Sequence, residues 1–152
     1  MQYGEGKLGR VFVVRLDEGE RLPDAIETFA REHRIGGGMV MYLGGAQDGS
    51  RLVVGPEAGR GEAVVPMIYP LTGIQEVLAV GTLFQNEAGD PVLHLHAATG
   101  REGGATVGCT RAGVGVWLVG EVVILEILGT AARRRRDPHT GFQLLQIPRE
   151  PD

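Results

Sequence analysis

Fifteen consecutive residues, Val114 to Leu128 (VGVWLVGEVVILEIL), are apolar except for two glycines and two glutamates. This run constrains the fold more than any other. A membrane helix needs about 20 apolar residues, and Glu121 and Glu126 oppose insertion into lipid. Its β-branched content instead predicts a long central strand, broken near Gly120. A strand that apolar must be covered on both sides by other elements of the fold or by another chain.

The rest of the sequence supplies such elements. The 152 residues are enough for one domain with a real core, and 43% hydrophobic with 22% charged residues is ordinary for a soluble globular chain. The 25 glycines are dispersed among short apolar runs, which suits many turns and strand ends better than long helices or disorder. Strands are expected at Arg10–Leu16, Gly38–Leu43, Arg51–Val54, Glu62–Met67, Ile74–Phe84 and Phe142–Ile147. Arg51–Val54 and Glu62–Met67 form a hairpin. NEAGD (86–90) is a turn joining Ile74–Phe84 to the strand that follows Pro91. Only Pro23 to Arg34 changes period: Leu22, Ile26, Phe29, Ala30 and His33 recur at helical spacing, with Asp24 and Glu27 at the positive end. The order predicts an α+β fold, a mostly antiparallel sheet with one main helix near the N-terminus.

The chemistry gathers in PVLHLHAATGREGGATVGC (91–109). His94 and His96 share a parity, so in an extended strand their imidazoles leave one face roughly 7 Å apart. If the Gly-rich turn closes, Cys109 returns beside them, and His₂Cys is a donor set suited to zinc with one position left open. A hydrogen-bonded histidine pair in a polar cavity or subunit interface, a thiol nucleophile paired with a histidine, and a merely buried cysteine are the alternatives. Glu121 is a candidate to orient a ligand histidine, a candidate general base, or an interface partner for arginine. Arg101 and Arg111 flank the same stretch and suit bidentate contact with an anionic ligand, or solvated and subunit-bridging roles. His33 reads as a helix-end histidine at a core edge.

A net charge of −4 argues against a globally basic nucleic-acid binder. Arginine supplies every positive side chain except Lys7, and Arg133, Arg134, Arg135 and Arg136 form a run. That run is a candidate phosphate patch or a solvated strand, with two arginines on each face if extended. One cysteine excludes an internal disulfide, and the polar start MQYGEGKLGR is unlike a signal peptide, so the expected location is cytoplasmic, with no membrane partner.

Several segments resemble the plant and prokaryote conserved (PPC) domain family: RVFVVRLDEGERLPDAIETFAREHRI, GGMVMYLGGA, PVLHLHAATGREGG, VGCTRAGVGVW with GEVVILEI, and RRRDPHTGFQLL. HLHAATGREG and the GC-x-R-x-G-V-x-V-W pattern are the most specific. The family occurs in plants within AT-hook nuclear-localised DNA-binding proteins and in prokaryotes as stand-alone proteins. The resemblance implies one domain over residues 1–152, a largely antiparallel α+β fold and a homotrimer. It further implies a histidine cluster at the subunit interface, formed by the His-x-His pair and a third histidine after the Gly-rich turn. His94 and His96 match the pair, and Cys109 stands at the third position. The Arg-Gly-Arg-Pro core of an AT-hook is absent. The resemblance therefore implies a trimeric assembly or regulatory module binding DNA or proteins, with zinc at His94, His96 and Cys109. The alternative is a zinc-dependent enzyme or small-molecule sensor at the same residues, its substrate unnamed.

Overall fold

The computed structural model describes residues 1–58 and 64–148. Nine strands form one antiparallel sheet: β1 (Lys7–Asp17), β2 (Arg21–Leu22), β3 (Gly37–Ala46), β4 (Arg51–Pro56), β5 (Pro66–Pro70), β6 (Gln75–Gln85), β7 (Pro91–Arg101), β8 (Gly104–Cys109) and β9 (Val114–Leu128). Their order across the sheet is β1-β9-β3-β6-β7-β8-β4-β5, with β2 on the first residues of β9. A separate hairpin, β10 (Arg133–Arg136) with β11 (Gln143–Gln146), follows. The expected hairpin at 51–67 forms between β4 and β5. Glu62 and Ala63, the start of its expected second strand, lie outside the described residues.

The apolar run is the interior strand its composition demands. β9 pairs with β1 on one side and β3 on the other. The expected break near Gly120 is a bulge: Gly44 pairs with Gly120 but Gly45 with Trp117, leaving two extra residues, Leu118 at φ 59° and Val119. Two extra residues preserve parity, so Val114, Val116, Val122 and Ile124 all face inward and are buried. Glycine is required at the bulge because the Tyr42 ring lies against it. A Cβ on Gly120 would stand 2.5 Å from Tyr42 Cε2. The buried Tyr42 hydroxyl donates to the Gly45 carbonyl at 3.0 Å, and burial pushes its pKa up to about 12.

The one α-helix among the described residues, α1 (Asp24–Glu32), covers the inner face of the sheet with Ile26 and Ala30. Glu27 accepts a hydrogen bond from the Leu93 amide at 2.8 Å, fastening α1 to β7, and desolvation raises its pKa. Phe29 meets Phe12 edge-on at 5.5 Å, and the His33 ring packs 4.1 Å from Phe29, which gives that histidine a packing role. Nearby, Arg10 grips the buried Glu126 carboxylate with Nε at 2.8 Å and Nη2 at 2.6 Å, and reaches the His33 carbonyl at 3.1 Å. One ion pair thus joins β1, β9 and the end of α1.

Among the described residues no helix covers the opposite face. Leu43, Leu78 and Val107 are 56%, 61% and 63% exposed there, and Met39 and Val80 continue the patch. His94 and His96 open onto this outer face. No helix among the described residues is long and apolar enough to cross a membrane.

Candidate metal centre

β7 alternates as its sequence predicts. Leu93, Leu95, Ala97 and Thr99 are buried in the inner layer, which turns His94, His96 and Ala98 outward. The two imidazole Nε2 atoms lie 3.0 Å apart, with the rings nearly perpendicular at 82°. The turn at Glu102-Gly103 closes the β7–β8 hairpin, and the ladder makes Cys109 the direct cross-strand partner of His96. Direct partners share a face. One ligand atom from each of His94, His96 and Cys109 falls within 4.8 Å of the others, with Cys109 buried and both histidines exposed.

This donor set fits zinc. Ligand atoms on one tetrahedral ion stand roughly 3.3–3.6 Å apart, given bonds of about 2.1 Å to nitrogen and 2.3 Å to sulfur. The imidazole pair, at 3.0 Å, lies a few tenths of an ångström under that span and would open slightly, and the thiol needs about 1 Å of approach. Two nitrogens and one sulfur match zinc's borderline character. After Cys109 the chain enters a 3₁₀ turn (Thr110–Ala112), where the Thr110 hydroxyl donates to the Leu95 carbonyl at 3.2 Å and fixes the third ligand's strand end to β7.

Of the arginines predicted to border the site, Arg111 does so. Its guanidinium stacks over Phe142 at 5.2 Å, and its charge helps to lower the His94 pKa. Desolvation is the largest cause of that lowering, followed by Arg134, His96 and Arg111. Arg101 does not reach the site. It lies at the far end of β7, five residues and roughly 17 Å along the strand from His96, and its Nη1 donates to the Ile74 carbonyl at 2.9 Å. Glu121 also stands apart within one chain. It lies on β9 opposite Arg15 and Leu43, and β3 and β6 separate it from the histidine strand, a lateral distance of roughly 14 Å.

The arginine run is not a uniform patch. Arg134 turns inward and is 4% exposed, whereas Arg133, Arg135 and Arg136 remain outside. Arg133 donates to the Gln85 side chain at 2.9 Å, and Arg135 lies 3.8 Å from Glu87. Arg134 Nη2 donates to the hydroxyl and carbonyl of Thr82, the cross-strand partner of His94, at 2.8 and 3.3 Å. The sequence makes Arg134 a candidate phosphate contact, but its burial takes it off the surface and its bond to Thr82 sets it beside His94.

The family model of the Plants and Prokaryotes Conserved (PCC) domain matches residues 3–128. Among solved structures, a metal-containing protein of Archaeoglobus fulgidus has a TM-score of 0.81 at 23% identity, covering 96% of this chain and 99% of that one. A plant- and prokaryote-conserved (PPC) protein of Pyrococcus horikoshii gives 0.80 at 24% identity, with 99% and 100% covered. A Ralstonia eutropha protein provisionally named DNA-binding gives 0.67 at 20% identity, with 90% of each chain covered. No curated protein matches significantly. The family match takes in β1 through β9, including the His-x-His strand and the cysteine that pairs with it, and the chain belongs to the PCC domain family.

Proposed function

We propose that this chain is the protomer of a homotrimeric assembly module that holds zinc at His94, His96 and Cys109. The observation that carries the reading is the meeting of three zinc-type donors within 4.8 Å on the outer sheet face. Zinc held there would supply a Lewis-acidic centre with one open position. The metal-containing Archaeoglobus neighbour supports a metal in this fold. Self-association is supported by the uncovered apolar face, since contiguous exposed patches of this kind on small domains mark association surfaces. On that face Glu121 suits an ion pair across the subunit interface better than a role at its own chain's histidines. Metal analysis of protein purified without added metal tests the first part, and light scattering the second.

A second reading, contact with DNA, rests on the three outward arginines of β10 and on neighbours provisionally named DNA-binding. The net charge of −4 and the inward turn of Arg134 limit it to a few salt-sensitive phosphate contacts. A salt-titrated binding assay on duplex DNA tests it.

A further inference from the structure

Beside the centre lies a buried cation, Arg134, whose side-chain hydrogen bonds among the described residues go to Thr82 and to no carboxylate. Arg134 is 4% exposed, yet its Nε has no hydrogen-bond partner among the described residues. It is the one buried side-chain nitrogen or oxygen left so there. A buried guanidinium normally uses its fork on a carboxylate or another oxyanion. Here Nη2 is bound to Thr82, beside His94, and the buried Nε donor is idle. Arg111, stacked on Phe142, adds a second positive charge felt at His94. Among the described residues no carboxylate joins the three-residue cluster.

Metal loading sharpens the imbalance. A divalent ion with one thiolate carries a net charge of about +1, and Arg134 and Arg111 raise the local sum to about +3. Three protein ligands also leave a coordination position open. One kind of occupant answers the charge, the open position and the idle donor together.

We propose that the His94–His96–Cys109 centre binds a small oxyanion, carboxylate or phosphate in type, and that Arg134 is the residue that holds it. Arg111 contributes long-range attraction. This inference rests on the metal reading above and names the ligand class of the same site. It gives Arg134 a positioning role, distinct from metal binding and from DNA contact.

The test uses the full chain loaded with cobalt(II), whose visible absorption reports changes in the metal's ligands. Inorganic phosphate and acetate are titrated separately at constant ionic strength, with chloride as control. The expected result is a saturable spectral change with phosphate or acetate, and the stronger of the two identifies the oxyanion type. In Arg134→Gln the anion affinity should fall roughly tenfold or more, the worth of a charge-assisted hydrogen bond. Cobalt affinity should stay level or rise, because a cation has been removed from beside the metal. Arg134→Lys, which keeps the charge without the fork, should fall between the two and covers the case in which the glutamine variant fails to fold. Cobalt uptake with no response to either anion at millimolar concentration overturns the inference and leaves the metal reading standing. So does an anion response that Arg134→Gln and Arg134→Lys leave unchanged. Absence of cobalt uptake overturns both.

Discussion

His96 and Cys109 are direct partners across the β7–β8 ladder, so one turn of chain brings a thiol and an imidazole to the same sheet face. The pairing depends on register. A slip of one residue would turn Cys109 to the opposite face and dissolve the donor set. The β7–β8 hairpin is therefore as much part of the site as its side chains.

The uncovered sheet face predicts self-association. Light scattering at micromolar concentration should return about three times the 16.2 kDa chain mass. Leu78 is 61% exposed, so Leu78→Asp should leave the protomer folded and shift the mass toward the monomer. A parent protein that runs as a monomer contradicts the assembly.

The Arg10–Glu126 pair predicts a pH signature. Hydrogen bonding to Arg10 is the largest cause holding the Glu126 carboxyl below its ordinary pKa. A depressed folded pKa means that the unfolded chain takes up the proton first as acid is added. The contribution to stability is thus complete above the ordinary carboxylate range and is lost as pH falls through the lower folded value. Urea midpoints measured from neutral pH downward should show Glu126→Gln weaker than the parent near neutrality, with the gap closing in acid. A gap independent of pH would assign the effect to packing.

Gly120→Ala should destabilise by about 1–3 kcal/mol, the usual effect of forcing a carbon into a filled core. The new Cβ meets the buried Tyr42 ring, which cannot swing away without losing its bond to Gly45. Urea unfolding measures it, and a change near zero would mean that the bulge relaxes freely.

Much of this architecture was legible in the sequence. Strict alternation around His94 gave the strand face, the NEAGD turn (86–90) gave the β6–β7 hairpin, and the change to helical spacing after Leu22 gave α1. What escaped depends on parity or on distant packing. Glu126 shares the parity of Val122 and Ile124, so its burial could have been inferred, but its partner Arg10 lies on another strand. Glu121, of opposite parity, drew attention although β3 and β6 stand between it and the histidines. In the arginine run, parity predicts two arginines per face. Which one meets a wall is decided by where the C-terminal hairpin folds, and no local pattern encodes that.

Any DNA contact should be shallow. With Arg134 buried, three outward arginines per chain remain on β10, so the logarithm of affinity should fall against the logarithm of salt with a slope no steeper than about −2.7 per chain. A markedly steeper slope would require a basic surface elsewhere. Replacing Arg133, Arg135 and Arg136 with glutamine should abolish retention on a DNA column at low salt.

The central claim is the metal centre, and its most direct measurement is zinc content as a function of sequence and pH. The parent protein should carry close to one zinc per chain. The affinity should weaken as pH falls, because neutral imidazole and thiolate are the binding forms, and the lowered His94 pKa moves its part of that loss to more acid pH. His94→Ala combined with His96→Ala should abolish bound zinc with the sheet intact, since both rings are exposed. Zinc retained by the double variant, or a parent protein that takes up none at neutral pH, would contradict the account.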